Sequence, residues 1–343
     1  MTGPVAVVGG YGDVGAAACR RLADAGVPLR IGGRDPGAAQ RFAATLGADH
    51  AAVDFTDESS VDTFANGCAV LLNCAGPSRA VGDSLVRGAE RAGADYVDVA
   101  GDDPLYARLG STGIRAVLSA GLRPGLTGLL PRALASRAGA VRDLVLQVGV
   151  RDRFTRVSAA EYLDAGAARV LAGWDHGPKA GLLTRHEDTE LPFFPGTVTA
   201  IPLLSGEDER VALALGLVRG EWWSVVHGEH VRAAFGRVHA VDRDEAVAAL
   251  CRASELDLAG GETSVTIVAR AESGTAVLTA PGNAAATGTV AAFAVQAVLR
   301  GDVPPGRHYA AEVLDPERLL ASDPAIHVEY LAEAATTVEE GVL

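Results

Sequence analysis

The chain opens on an apolar run, Val5-Ala6-Val7-Val8, with no polar residue inside it. That composition suits a strand buried on both faces, as in a parallel sheet covered by helices. A helical period follows over residues 14–25 and stops at Gly26, which takes the left-handed C′ conformation readily. Strands are then expected at 27–32, 49–54, 69–74, 95–99 and 114–120. Helices are expected at 36–46, 56–65 and 81–92. This alternation predicts an α/β fold with a doubly wound parallel sheet.

After Gly121 the rhythm changes. A helix is expected from Pro124-Gly125 to 138, a long strand at 142–150 and a helix at 158–171. Residues 173–179 and 191–196, and the surroundings of Trp222 and Trp223 ahead of His227, His230 and His239, read as loops. A helix at 242–258 precedes a hairpin, 263–271 and 275–280, turning on Glu272-Ser273-Gly274. A second domain on an open, largely antiparallel sheet is the expectation. A small-residue helix at 283–299, closed by Gly301, leads to a short helix at 316–321 and a strand-like 326–330. The last residues, 339–343, are expected to fray.

Composition narrows the function. Of 343 residues, 48% are hydrophobic and 21% charged, as in a globular chain. The net charge of −13 argues against nucleic acid or an anionic membrane as partner, since both call for a basic surface. No run has the length of a membrane span, and Met1-Thr2-Gly3-Pro4 leads directly into the first strand, leaving no room for a signal peptide. A cytoplasmic protein is expected. Cys19, Cys68, Cys74 and Cys251 lack metal-ligand spacing, so reduced, buried thiols and no metal site are expected.

The chemistry concentrates where strands end. Gly10-Tyr11-Gly12-Asp13-Val14-Gly15 has the spacing of a dinucleotide fingerprint between a strand and a helix. Its glycines permit a tight turn, close approach of backbone to a pyrophosphate, and close helix–strand packing. The helix start would turn its N–H groups and positive dipole end to that phosphate pair. The second strand ends Gly32-Gly33-Arg34-Asp35-Pro36. An acid there would accept from a ribose 2′-hydroxyl, and an arginine would meet a 2′-phosphate. Glycine in the acidic place, followed by Arg34, favours NADP over NAD. Asp35 competes as an acid, but it also suits an N-cap ahead of Pro36. Asp54 and Phe55 end the third strand, where an adenine ring would lie; a cap or loop role for Asp54 is the equal alternative. Cys74, Ala75, Gly76 and Pro77 end the fourth strand, where small residues would let a nicotinamide ribose pass.

A nicotinamide ring at this strand end would need a dry pocket beside it and a source of a proton. Asp98 and Asp102 flank the fifth strand, Tyr96 alternates with Asp98, and all three are candidates, with capping or supporting roles as the alternative. His176 and Lys179 are candidates from a loop of the second domain. Trp174, Phe193, Phe194, Trp222 and Trp223 would form either an aromatic wall for an apolar substrate or ordinary core.

GGYGDVG, GGRDP, LLNCAGP, ADYVDVAGD, GLRPGLTGLLPRALA and the tail TVAAFAVQAVLRGDVPPGRHYAAEVLDPERLLA coincide in this order. Together they resemble the saccharopine dehydrogenase-like reductases. The resemblance covers both ends of the chain. It implies a Rossmann domain of residues 1–122 plus 283–343, with a substrate and dimerisation domain, 123–282, inserted between. It further implies a homodimer, and hydride transfer from NADPH to the imine carbon of a small metabolite. Reduction of a conjugated C=C bond and a non-catalytic, NADP-sensing protein are the alternatives. No set of arginines here matches the amino-acid binders of that family residue by residue.

Overall fold

All four side chains of Val5–Val8 are buried, Val5 and Val7 in one apolar cluster and Ala6 and Val8 in another. The computed structural model describes residues 3–166, 171–238 and 240–332. The end of the helix expected at 158–171, His239 and the expected frayed terminus 339–343 lie outside the described residues.

The first part of the chain forms strands β1 (Val5–Val8), β2 (Leu29–Gly33), β3 (Asp49–Ala52), β4 (Val70–Asn73), β5 (Asp95–Asp98) and β6 (Arg115–Leu118). Between them lie α1 (Asp13–Asp24), α2 (Pro36–Leu46), α3 (Glu58–Ala65), α4 (Ser78–Val81), α5 (Ser84–Ala92) and α6 (Asp103–Leu109). Helix α6 was not expected, and the helix expected at 81–92 begins earlier and breaks at Gly82-Asp83. Helix α7 (Leu126–Ala138) then leads into β7 (Asp143–Arg151), α8 (Arg156–Gly166), β8 (Gly173–Asp175) and β9 (Pro178–Lys179). Next come β10 (His186–Leu191), β11 (Phe194–Pro202), α9 (Gly206–Leu215), β12 (Arg219–Val226), α10 (Glu229–Phe235), α11 (Arg243–Asp257), β13 (Ser264–Ala271) and β14 (Gly274–Ala280). The tail supplies α12 (Asn283–Arg300), β15 (Gly306–Tyr309), α13 (Ala310–Val313), α14 (Pro316–Leu320) and β16 (His327–Leu331).

The first sheet has the order β15-β6-β5-β4-β1-β2-β3, and every pairing in it is parallel. The order reverses between β4 and β1, which is the topological switch point of a doubly wound sheet. The second sheet runs β10-β11-β12-β7-β13-β14-β16, with β8 and β9 off β12. Only β7 and β12 pair in parallel there. Three stretches expected as loops are therefore strands. Trp222 and Trp223 sit in β12, residues 191–196 are the turn of the β10–β11 hairpin, and 173–179 form the β8–β9 hairpin. The tail divides: β15 joins the first sheet, whereas β16 pairs with β14 in the second. For residues 327–331 this corrects the assignment of the whole tail to the Rossmann half.

Helix α12 lies between the sheets and touches α1, β4, β5, β13 and β14. Its small residues allow that. A Cβ on Gly288 would stand 2.6 Å from the Ala17 Cβ and 2.8 Å from the Ala18 backbone nitrogen. One apolar cluster consequently runs from Val5 and Leu72 through Val290 and Ala294 to Leu146 and Ile267.

Candidate functional site

Two turns meet at the carboxyl ends of β1 and β4. At Gly9, a Cβ would lie 3.0 Å from the Ala75 backbone nitrogen and the Cys74 carbonyl, so the fingerprint turn rests on the turn after β4. The Gly10 and Gly9 N–H groups donate to the Gly32 carbonyl, and Gly12 N–H donates to Gly9 O at 3.0 Å. Gly15 is fixed by packing, since its Cβ would fall 2.2 Å from Gly9 O. Gly12 is different. Its added Cβ meets nothing nearer than Gly9 O at 3.3 Å, and as N-cap of α1 it offers no side chain to the first-turn N–H groups. Those groups are left for an outside acceptor. Asp13 and Val14 begin α1, Asp13 exposed and Val14 partly buried. A dinucleotide pyrophosphate fits this cradle.

At the end of β2, Gly33 is buried and Arg34 exposed. Asp35 caps α2, its carboxylate accepting from Ala38 N–H at 3.0 Å with Pro36 at the helix start. Asp35→Ala is therefore expected to lower stability by about 1 kcal/mol. A urea midpoint measures that loss; a fall in dinucleotide affinity without it would assign Asp35 to the ligand instead. Asp54 turns its Oδ1 onto the Thr56 N–H (2.9 Å) and hydroxyl (2.8 Å). Those two bonds hold its carboxyl below the usual range, with help from the Arg34 charge. Phe55 packs against the apolar cluster on the β1 Ala6–Val8 face, and its carbonyl accepts from Ser84 Oγ at 2.5 Å.

The turn after β4 is held from below and above. Asn73 Oδ1 accepts from Ala75 N–H at 2.9 Å, and Cys74 N–H donates to Val8 O. From the second layer, α8 descends on it. Ser78 N–H and Oγ donate to Glu161 Oε1 at 2.8 and 3.0 Å, and a Cβ on Gly76 would meet Val157 at 2.9 Å. Cys74, Ala75, Gly76 and Pro77 thus form a turn on which α8 packs directly. Nothing in the local sequence signals this contact, because its partners are 83 residues apart. All four cysteines are free; Cys19 and Cys68 are buried, but Cys74 and Cys251 are only partly so.

Tyr96 and Asp98 are tied into one hydrogen-bonded network. Both are buried. Asp98 accepts from Tyr96 Oη (2.6 Å), Asn73 Nδ2 (3.0 Å), Ala100 N–H (2.9 Å) and Gly101 N–H (3.0 Å). Burial pushes its carboxyl up, against those four donors, and burial likewise pushes the Tyr96 phenol well up. The alternation of Tyr96 and Asp98 points both into the sheet's covered face, where they tie β4 to the β5 turn. Asp102 stands exposed at the N-cap of α6 and makes no side-chain capping bond.

The topology places His176 and Lys179 at the end of β7 away from α8. Asp175 pairs with Arg219, which pairs with Asp143 at the start of β7. Helix α8, which packs on the turn after β4, follows the other end of β7, where Asp152 accepts from Asn283 N–H at the start of α12. Nine residues of strand separate the two ends, about 25–30 Å. Lys179 is paired with Asp175 at 2.8 Å. The aromatic residues are mostly core: Trp174 and Trp222 fill the main cluster, Phe194 packs on Gly149, and Trp223 bonds Glu221 and contacts His186. Phe193 alone of the five is exposed.

A second buried acid, Glu207 at the start of α9, accepts from Gly125 N–H (2.7 Å) and Thr127 Oγ1 (2.5 Å) at the start of α7. Burial pushes its carboxyl up to about 7. Among the described residues, no group of His, Cys, Asp or Glu could hold a metal ion, and no helix is long and apolar enough to cross a membrane.

No protein-family model matches the sequence, and no curated protein matches it. Solved structures do. The apo saccharopine dehydrogenase (L-Glu forming) from Saccharomyces cerevisiae aligns over 96% of this chain and 100% of its own, with TM-score 0.72 and 16% identity. The WlbA dehydrogenase from Bordetella pertussis, in complex with NADH and UDP-GlcNAcA, aligns over 89% of this chain and 90% of its own, with TM-score 0.45 and 14% identity. Across nearly its whole length, the chain has the fold of saccharopine dehydrogenase.

Proposed function

We propose that the protein is an NADPH-dependent oxidoreductase that reduces the C=N bond of a small metabolite. One observation carries the cofactor part. The α1 N-terminus presents its first-turn N–H groups with no side chain capping them, at the switch point of a parallel sheet. Gly10, Tyr11, Gly12, Asp13, Val14 and Gly15 would hold the pyrophosphate side. Arg34, Asp54 and Phe55 would border the adenosine, and Cys74, Ala75, Gly76 and Pro77 the nicotinamide ribose. NADPH would supply the hydride. The Asn73–Asp98–Tyr96 network keeps the turn after β4 in place, and α8 would cover the ring from the other side.

The C=N part rests on the demand for a proton. Reduction at carbon or oxygen calls for a positioned acid; a substrate nitrogen that arrives protonated does not. Tyr96 and Asp98 are committed to their own network, which favours the less demanding reaction. Loss of NADPH absorbance with a panel of amine and carbonyl pairs tests it. Tight NADPH binding without oxidation by any pair, or turnover of conjugated alkenes alone, would overturn the C=N assignment.

Arg34→Ala is expected to weaken NADPH by roughly 10- to 100-fold, the worth of one charge-assisted phosphate contact. NADH affinity should change less than about twofold. Titration of both nucleotides by protein fluorescence reads this; equal loss for both refutes the phosphate contact.

A further inference from the structure

At the carboxyl end of β2 the ring of Tyr11 stands where a side chain of residue 33 would be. A Cβ built on Gly33 would lie 2.4 Å from Tyr11 Cε1, 2.7 Å from Cζ and 2.6 Å from the hydroxyl oxygen. Gly33 lies in a regular strand and is not among the positive-φ glycines, so its missing side chain answers to space and not to backbone conformation. The ring is anchored at its far end. Asp35 N–H donates to the Tyr11 oxygen at 3.0 Å. That bond occupies a lone pair and leaves the phenolic proton to be donated elsewhere. Arg34, between the two, is exposed and electrostatically felt by Asp54 across the end of β3.

In a dinucleotide fold, this strand end meets the adenosine ribose, and a carboxylate there selects the 2′-hydroxyl. We propose that Tyr11 is a cofactor-selecting residue. Its ring fills the space that a hydroxyl-binding carboxylate at position 33 would need, and its O–H donates to a 2′-phosphate beside the Arg34 guanidinium. The inference rests on the cofactor reading above and goes beyond it. Selection against NADH is then built into the packing of the fingerprint loop, by exclusion of the acid as well as by the presence of a cation. A phenol beside a guanidinium also supplies a fixed, directional donor where Arg34 alone is a long, exposed side chain.

The two parts make different predictions. Tyr11→Phe keeps the ring and removes the donor. It should weaken NADPH by about tenfold and NADH by less than about twofold. Gly33→Asp alone has to push the Tyr11 ring off its bond to Asp35 N–H. It should lower the thermal midpoint and bring no gain in NADH affinity. Gly33→Asp combined with Tyr11→Ala has room, and should recover the midpoint lost by the single change and prefer NADH. Dissociation constants for both nucleotides, measured by fluorescence titration alongside thermal midpoints for all four proteins, decide it. Equal weakening of both nucleotides by Tyr11→Phe, or none, overturns the donor. NADH binding gained by Gly33→Asp alone overturns the exclusion. A wild-type protein that binds neither nucleotide overturns the cofactor reading together with this inference; one that prefers NADPH with a preference indifferent to Tyr11 overturns the inference alone.

Discussion

Asp98→Ala is expected to destabilise the protein by about 3–5 kcal/mol, the range for removing one partner from a buried charged network, and to lower the thermal midpoint by something on the order of 10 °C. The carboxylate is the sole acceptor shared by four donors: the Tyr96 hydroxyl, the Asn73 amide and the Ala100 and Gly101 N–H groups. At a position that is 2% exposed bulk water does not reach these donors, and a single trapped water has two lone pairs for the four of them. Two turns would loosen at once, since Asn73 also fixes Ala75 N–H and Ser119 Oγ donates to Gly101 O at 3.0 Å. Dinucleotide affinity should therefore fall with stability. Asp98→Asn separates this from catalysis. Its remaining oxygen can still accept from Ala100 and Gly101, while its new amide faces the Asn73 amide. An intermediate loss of stability is expected, with catalysis reduced no more than cofactor binding. Full stability with catalysis abolished at unchanged NADPH affinity would restore Asp98 as a proton donor.

The parts of the fold that were legible in the sequence are those where local pattern and environment agree. Val5–Val8 is apolar at every position because both faces of a parallel strand are covered, and Gly47, Gly93 and Gly301 mark genuine left-handed helix stops. The second sheet hides its signal. β10 reads HEDTEL and is mostly exposed, so an edge strand carries the charges that usually mark a loop. Trp222 and Trp223 point to opposite faces of β12, one into the main core and the other toward His186, and adjacent aromatics do not show the alternation that a half-exposed strand would. Helix α9 opens Gly-Glu-Asp-Glu-Arg, a polar first turn, and its apolar period is too short to stand out; only the Ser205–Asp208 capping box announces it. At the site, residues within one strand–turn–helix unit were readable. Contacts between distant units were not: Ser78 with Glu161, Gly125 with Glu207, and the Tyr11 ring over Gly33 join elements that no periodicity links. The same limit explains why Tyr96 and Asp98 looked like reagents. Their alternation gives the face on which they lie, but not that the face is sealed.

Glu207 should make the protein's stability depend on pH in the direction opposite to an ordinary ion-paired acid. Its carboxyl is pushed up to about 7 from 4.5, burial being the largest cause and Asp208 adding to it, while Thr127, Gly125 and Arg210 act the other way. A folded-state value above the unfolded one means that the native protein holds the proton more tightly. The stabilisation is fully present below about pH 4.5, is lost as pH rises toward 7, and does not change further above that. The shift corresponds to roughly 3 kcal/mol at most. The geometry accommodates the proton. A protonated Glu207 can donate to Thr127 Oγ1, whose own hydrogen then turns to Leu122 O at 3.3 Å, while Gly125 N–H keeps its acceptor. Glu207→Gln reproduces that arrangement with a permanent donor. It should match the wild type near pH 4.5, exceed it increasingly up to about pH 7 by as much as about 3 kcal/mol, and keep that difference above it. Glu207→Ala should be less stable than either, because it strands the Gly125 N–H and opens a cavity between α7 and α9. Urea unfolding of the three proteins across this range measures the difference directly. Wild-type and Glu207→Gln curves that run parallel with pH would show that the carboxyl titrates alike in the folded and unfolded chain, and that the junction of α7 and α9 holds no proton.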